Sequence, residues 1–155
     1  MRMNKQLLLC LLGINLLLSS CTTVNKIIPP STDLFINVAG NVNPDITGRP
    51  SPVVMKVFEL SSRTIFDTQD FFSLYDEPES ILGPDLLKKD ELELQPDSKQ
   101  EYKMKLDRNT RFVGVIVAYR DIDQARWRSV IEVDPTGYDN INVNVEAIAT
   151  YMREK

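Results

Sequence analysis

Asp121, Asp123 and Glu132 come nearest to a known chemistry, because Glu132 falls where the closing glutamate of a calcium loop would stand. Such a loop also needs an oxygen ligand where this chain has Ala125, and a turn-making glycine where it has Arg126. The match fails at its stringent positions, so a polar turn between two strands is expected there instead. A second carboxylate pair, Glu91 and Glu93, shares one face of an expected strand and reads as a solvated outer face. Trp127 keeps parity with Ile131 and Val133, which places it in the core rather than on a ligand platform. The chain has no histidine, the commonest general base and transition-metal ligand. Its six glycines form no phosphate-cradling loop. The expectation is a protein with no catalytic residues, no metal and no bound cofactor.

The segment Asn41 to Pro52 has a different character. It carries Asn41, Asn43, Pro44, Asp45, Gly48, Arg49, Pro50 and Pro52 between two strongly apolar segments. A connection of this length in a compact domain is often functional. Its prolines stiffen it, and a stiff loop loses less entropy when it binds a partner. An ordinary surface excursion accounts for the same composition, and composition alone leaves both readings open.

The elements that must position these residues begin after a leader. Arg2 and Lys5 precede an apolar run from Leu7 to Leu18, and Ser19 and Ser20 then lead into Cys21. That is the order of a secretory signal, and the run is well short of the ~20 residues that cross a bilayer. Leu18-Ser19-Ser20-Cys21 resembles the lipobox of bacterial lipoproteins. The resemblance implies cleavage of residues 1–20 and covalent acylation of Cys21, the only group the chain is expected to carry. Stable anchoring needs at least two membrane signals, at ~0.8 kcal/mol per buried methylene, and several acyl chains on one cysteine supply them. Thr22 stands where an aspartate tends to mean inner-membrane retention, so the resemblance points to the outer membrane. With Cys10 removed and Cys21 lipidated, no thiol is left for a disulfide or for catalysis, and the core alone must hold the fold.

Maturation leaves one domain's length of chain. Loss of Arg2 and Lys5 takes the 18 basic residues to 16 against 22 acidic ones, a net charge of −6. An acidic surface argues against nucleic acid as a partner. Residues 21–32, with Pro29-Pro30, read as a lipidated tether, and residues 33–155 as the folded domain. Two-residue alternation predicts strands at Leu34-Ile36-Val38, Val53 to Leu60, Leu92-Leu94, Tyr102-Met104-Leu106, Phe112 to Tyr119 and Arg126 to Val133. One long last strand is expected from Ile141 to Tyr151, making seven in a mainly β, two-sheet sandwich. Val53–Leu60 and Phe112–Tyr119 are apolar on both faces and are expected to be central. Between strands 2 and 3, about residues 61–89, the spacing of Phe71, Leu74 and Tyr75 turns helical. Asp67, three residues before Asp70, reads as a helix cap with an acidic first turn. Pro84 is expected to open a second short helix with Leu86 and Leu87 facing inward.

Three stretches carry a family resemblance. Asn43-Pro44-Asp45-Ile46-Thr47-Gly48-Arg49-Pro50-Ser51-Pro52-Val53-Val54 resembles the hallmark segment of the TssJ family, the outer-membrane lipoproteins of type VI secretion systems. Phe66 through Asp70-Phe71-Phe72-Ser73-Leu74-Tyr75 is similar to that family's aromatic helical segment. Phe112 through Asp121, followed by Trp127-Arg128, is similar to its central strand and hairpin. The resemblance implies a transthyretin-like sandwich with a helical insertion. It implies a non-catalytic scaffold on the periplasmic face of the outer membrane that binds the C-terminal periplasmic domain of TssM and, through it, TssL. It also implies that Asn41, Asn43, Pro44, Asp45, Ile46, Thr47, Gly48 and Arg49 form the partner-binding loop of a domain that is monomeric in isolation, with no small-molecule substrate.

Two other function classes fit parts of the sequence. A lipoprotein that chaperones or pilots another envelope component would use the same anchor and grip an extended client at a sheet edge. An envelope enzyme would need a cleft gathering Asp121, Asp123 and Glu132 around one point.

Overall fold

A computed structural model of the chain describes residues 30–155. The expected signal peptide, Cys21 and the tether up to residue 29 lie outside the described residues. Eight strands follow one another as β1 (Ser31–Val38), β2 (Val53–Leu60), β3 (Leu86–Leu94), β4 (Lys99–Met104), β5 (Phe112–Val117), β6 (Arg128–Glu132), β7 (Tyr138–Val145) and β8 (Thr150–Glu154). Three short helices, α1 (Thr64–Thr68), α2 (Phe71–Asp76) and α3 (Pro78–Leu82), stand between β2 and β3. The strands form two four-stranded sheets, ordered β4-β1-β7-β8 and β3-β2-β5-β6.

Alternation explains the inner layer. Leu34 and Ile36 of β1 and Ile141, Val143 and Val145 of β7 face Met55, Val57, Val113, Val115 and Val117 of the other sheet, all of them buried. The remaining face of β2 and β5 is covered by the helices: Phe58, Leu60 and Ile116 meet Phe66, Phe71, Leu74 and Leu82 in a second buried cluster. This is why both strands read as apolar on both sides. Gly114 makes the close contact possible, since a Cβ there would lie 2.7 Å from Cζ of the buried Phe66 ring. Two cationic side chains then fasten the helices. Arg128 donates to the Phe66 and Gln69 carbonyls at 2.6 and 2.9 Å, meeting groups that a helix end leaves without partners. Lys56 reaches out from β2 to the Tyr75 carbonyl at 2.8 Å and lies 4.0 Å from the centre of the Tyr75 ring.

Four expectations are corrected. The long last strand is two, because Glu146 donates to the Ala149 carbonyl at 2.7 Å and folds the chain back into a hairpin. The apolar parity of Ala147 and Ala149 runs straight through that turn and conceals it. The helical insertion ends before residue 89: Pro84 sits in a 3-10 turn, Gly83–Asp85, and Leu86 and Leu87 already belong to β3. The cap of α2 is Asp70, whose carboxylate accepts from the Ser73 backbone N–H at 3.1 Å and from its hydroxyl at 2.6 Å. Asp67 lies inside α1, bound to Arg63. Finally, β1 starts at Ser31, two residues before the expected boundary. Trp127 is half-buried, touching both apolar clusters, with its ring edge-on to Phe71 at 5.4 Å.

Candidate functional site: the loop between β1 and β2

The loop is built outward from one buried residue pair. Val42 is fully buried and plugs the end of the inner core. Asn43 beside it is 7% exposed and takes a left-handed backbone with φ of 47°, a conformation that asparagine tolerates better than most residues. Its backbone N–H and both polar atoms of its side chain are engaged. Its backbone N–H donates to the Ala147 carbonyl at 2.8 Å, its Nδ2 to the Pro52 carbonyl at 3.2 Å, and its Oδ1 accepts from the Arg120 N–H at 2.8 Å. One residue thereby joins the loop to the β5–β6 connection through its side chain and to the β7–β8 hairpin through its backbone. Arg120 adds a second tie, donating from its guanidinium to the Ser51 hydroxyl at 3.1 Å.

Beyond this base the chain makes a small hairpin of its own. Asp45 donates to the Arg49 carbonyl at 2.9 Å, and Gly48 donates back to Asp45 at 2.8 Å. Gly48 sits at φ of 82°, where a side chain would be strained. The Asp45 carboxylate fills the turn, with Oδ1 accepting from the Thr47 hydroxyl at 2.6 Å, the Thr47 N–H at 2.8 Å and the Arg49 N–H at 3.0 Å. The Thr47 hydroxyl, followed by those two backbone donors, holds its pKa below the ordinary carboxylate value. Arg49 closes over the outer oxygen at 3.3 Å while most of its side chain remains in water. At the tip stands Ile46, 103% exposed.

The expected site residues therefore divide. Ile46, Thr47, Gly48 and Arg49 are exposed, Asn41 is exposed at the loop's base, and Pro44 and Asp45 are half-buried. Asn43 is turned inward and holds the others in place. An apolar tip on a hydrogen-bonded stem is suited to entering a recess on another protein. The carboxylates that could have done chemistry are kept apart. Asp121 follows the end of β5, whereas Glu132 pairs with Phe112 at the start of that strand, a full strand length away. Glu91 and Glu93 are exposed, with Glu91 3.5 Å from Lys56. Among the described residues, none are grouped as a metal site would require.

Sequence reasoning missed Ile148, 42% exposed in the β7–β8 hairpin. It neighbours Ala147, the acceptor of the Asn43 N–H. It stood within the expected long strand, where nothing separated it from ordinary alternation. Glu59 was missed too: buried in β2, it accepts from the Asp107 N–H and the Thr110 hydroxyl, each at 3.1 Å, and so holds the β4–β5 loop.

Fold and loop together define a helix-covered β-sandwich whose most exposed large apolar residue, among the described residues, stands on the connection between its first two strands. Residues 30–148 match the family described as type VI secretion lipoprotein, VasD, EvfM and TssJ, and the chain belongs to that family. Among solved structures it is similar to the T6SS lipoprotein TssJ1 from Pseudomonas aeruginosa, at 32% identity and a TM-score of 0.79 over 82% of this chain and 97% of that one. Two others share the fold. Serratia marcescens Lip, a membrane-bound component of the type VI secretion system, is 24% identical with a TM-score of 0.73, over 83% of this chain and 97% of that one. A chain in the structure of the TssM C-terminal domain from EAEC is 23% identical with a TM-score of 0.68, over 79% and 97%. No curated protein matches the chain.

Proposed function

We propose that this lipoprotein is the outer-membrane anchor of a type VI secretion membrane complex, a scaffold rather than an enzyme. It would be acylated on Cys21, held on the periplasmic face and docked through the β1–β2 loop to the C-terminal periplasmic domain of TssM, which in turn joins it to TssL. Family membership and the likeness to TssJ1 support the setting. The observation that carries the docking site is Ile46, fully exposed at the tip of a loop whose stem is hydrogen-bonded throughout. Burying such a side chain is worth about 1.5–3 kcal/mol, and a preformed stem leaves little ordering cost to subtract. In this reading Ile46, Thr47, Gly48 and Arg49 touch the partner, Asn41, Pro44 and Asp45 shape the approach, and Asn43 positions the rest.

The test is co-precipitation of the unlipidated mature chain with the periplasmic C-terminal domain of TssM from the same bacterium. Binding is expected, and replacing residues 44–49 by a Gly/Ser loop should abolish it while the melting transition stays cooperative. Unchanged binding by the replaced loop would move the docking site elsewhere on the domain.

A further inference from the structure

The docking loop and the lipid attachment stand on either side of a single strand. β1 begins at Ser31, where the described chain emerges from the tether, and ends at Val38, directly before the loop. It is an inner strand, bonded antiparallel to β4 on one side and parallel to β7 on the other. A strand rises about 3.3 Å per residue, and a fully drawn-out chain reaches only ~3.3–3.6 Å. The covalent path from the lipid side to the loop therefore has almost no length left to give within β1. Beyond it, the stretch from Ala39 to Asp45 is clamped by Ala39 N–H to the Val145 carbonyl and Asn43 N–H to the Ala147 carbonyl, both at 2.8 Å. Pulling that stretch out completely adds no more than about 3 nm.

We propose that the domain is a tension-bearing link whose load path is β1, with the other seven strands attached to it and relieved of load. This rests on the docking reading above. Force drives a fold apart in proportion to the length gained when it opens, and here the gain between the two attachment points is small. Tension along β1 also favours the extended backbone that the strand already has. The opposite terminus offers no such path. Lys155 follows β8, a short edge strand, and donates to the Asn140 carbonyl at 2.8 Å, at the same end of the sandwich where Ser31 pairs with Tyr138. A pull from Lys155 has the same direction as a pull from Ser31, yet it must pass through the β7–β8 pairing. Opening the chain between the loop and Lys155 would release roughly 35–40 nm.

The experiment compares these two geometries in an optical trap. The periplasmic C-terminal domain of TssM is fixed to one handle and the full mature chain to the other. Attachment is through the Cys21 thiol of the chain made without its lipid, or through Lys155→Cys in a Cys21→Ser background. With Cys21, the complex should separate after a lengthening of less than about 3 nm. With Lys155→Cys at the same loading rate, the domain should open first, with a step of roughly 35–40 nm. A long step in the Cys21 geometry would show the partner gripping the chain well past the loop, and would overturn the inference alone. Equal rupture force without lengthening in both geometries would overturn it as well. Absence of any bound complex would remove the docking reading and this inference together.

Discussion

The Arg120 backbone N–H donates to Oδ1 of Asn43 at 2.8 Å, across 77 positions of sequence. This bond, with the two others that Asn43 makes, turns a loop into a fixed extension of the sandwich. Asn43→Ala would leave the Arg120 N–H and the Pro52 carbonyl short of a partner and put alanine at a positive φ, together costing roughly 2–4 kcal/mol. Asn43→Gly should cost less, because glycine accepts the backbone angle. Hydrogen exchange is the direct check: the Arg120 amide should lose protection in both variants. Protection equal to the parent would mean that the bond does not hold the loop.

Ile46 makes the opposite prediction. It is fully exposed, so Ile46→Asp should leave the melting temperature unchanged within error. Burying a carboxylate in an apolar recess is costly, so affinity for the TssM domain should fall by at least about 100-fold. Calorimetric titration beside a thermal melt separates the two effects. A variant that binds normally would take Ile46 out of the interface.

Asp45 sets the pH behaviour of the loop. Its hydrogen bonds lower its folded pKa below the ordinary 3.8. A depressed carboxylate contributes order that is fully present above the unfolded value and is lost as pH falls through the folded one. The stem should therefore stay intact from neutral pH down to about 4 and loosen only in stronger acid. The Thr47 and Arg49 amide shifts in NMR spectra report this directly. Loosening between pH 5 and 6 would contradict the assignment.

Gly114 controls the contact between helices and sheet. A Cβ there meets Cζ and Cε1 of Phe66 at 2.7 and 2.8 Å, and Phe66 is fully buried. Overpacking of this kind makes Gly114→Ala destabilising by roughly 1–3 kcal/mol in denaturant titrations. Adding Phe66→Leu should recover part of the loss, so that the pair is milder than the sum of the single variants. Strict additivity would place the strain elsewhere.

The proposed lipidation is expected to separate from folding. Cys21→Ser should leave the melt and TssM binding as they are, since the buried core described is built from Leu34 onward, yet abolish secretion. Secretion by an unlipidated protein would end the anchor reading.

The sequence by itself determined the layers of this protein. Alternation in Leu34-Ile36-Val38 and the doubly apolar Val53–Leu60 and Phe112–Tyr119 announced a sandwich with one covered face, because burial imposes a period of two on any strand. The helical spacing of Phe71, Leu74 and Tyr75 pointed to an insertion, and the folded chain lays it over the outer face of β2 and β5. The segment Asn41–Pro52 stood out by composition before its geometry was known. Local pattern could not see turns made of residues that also suit strands, so the Glu146–Ala149 hairpin was read as one long strand. Nor could it divide the loop. Asn43 and Ile46 are three positions apart, yet one faces inward and the other faces water. That difference comes from Arg120, Ala147 and Pro52, which only the folded chain brings to Asn43. Making the segment before the loop an inner strand, held between β4 and β7, was likewise a tertiary decision, since only its neighbours fix its register.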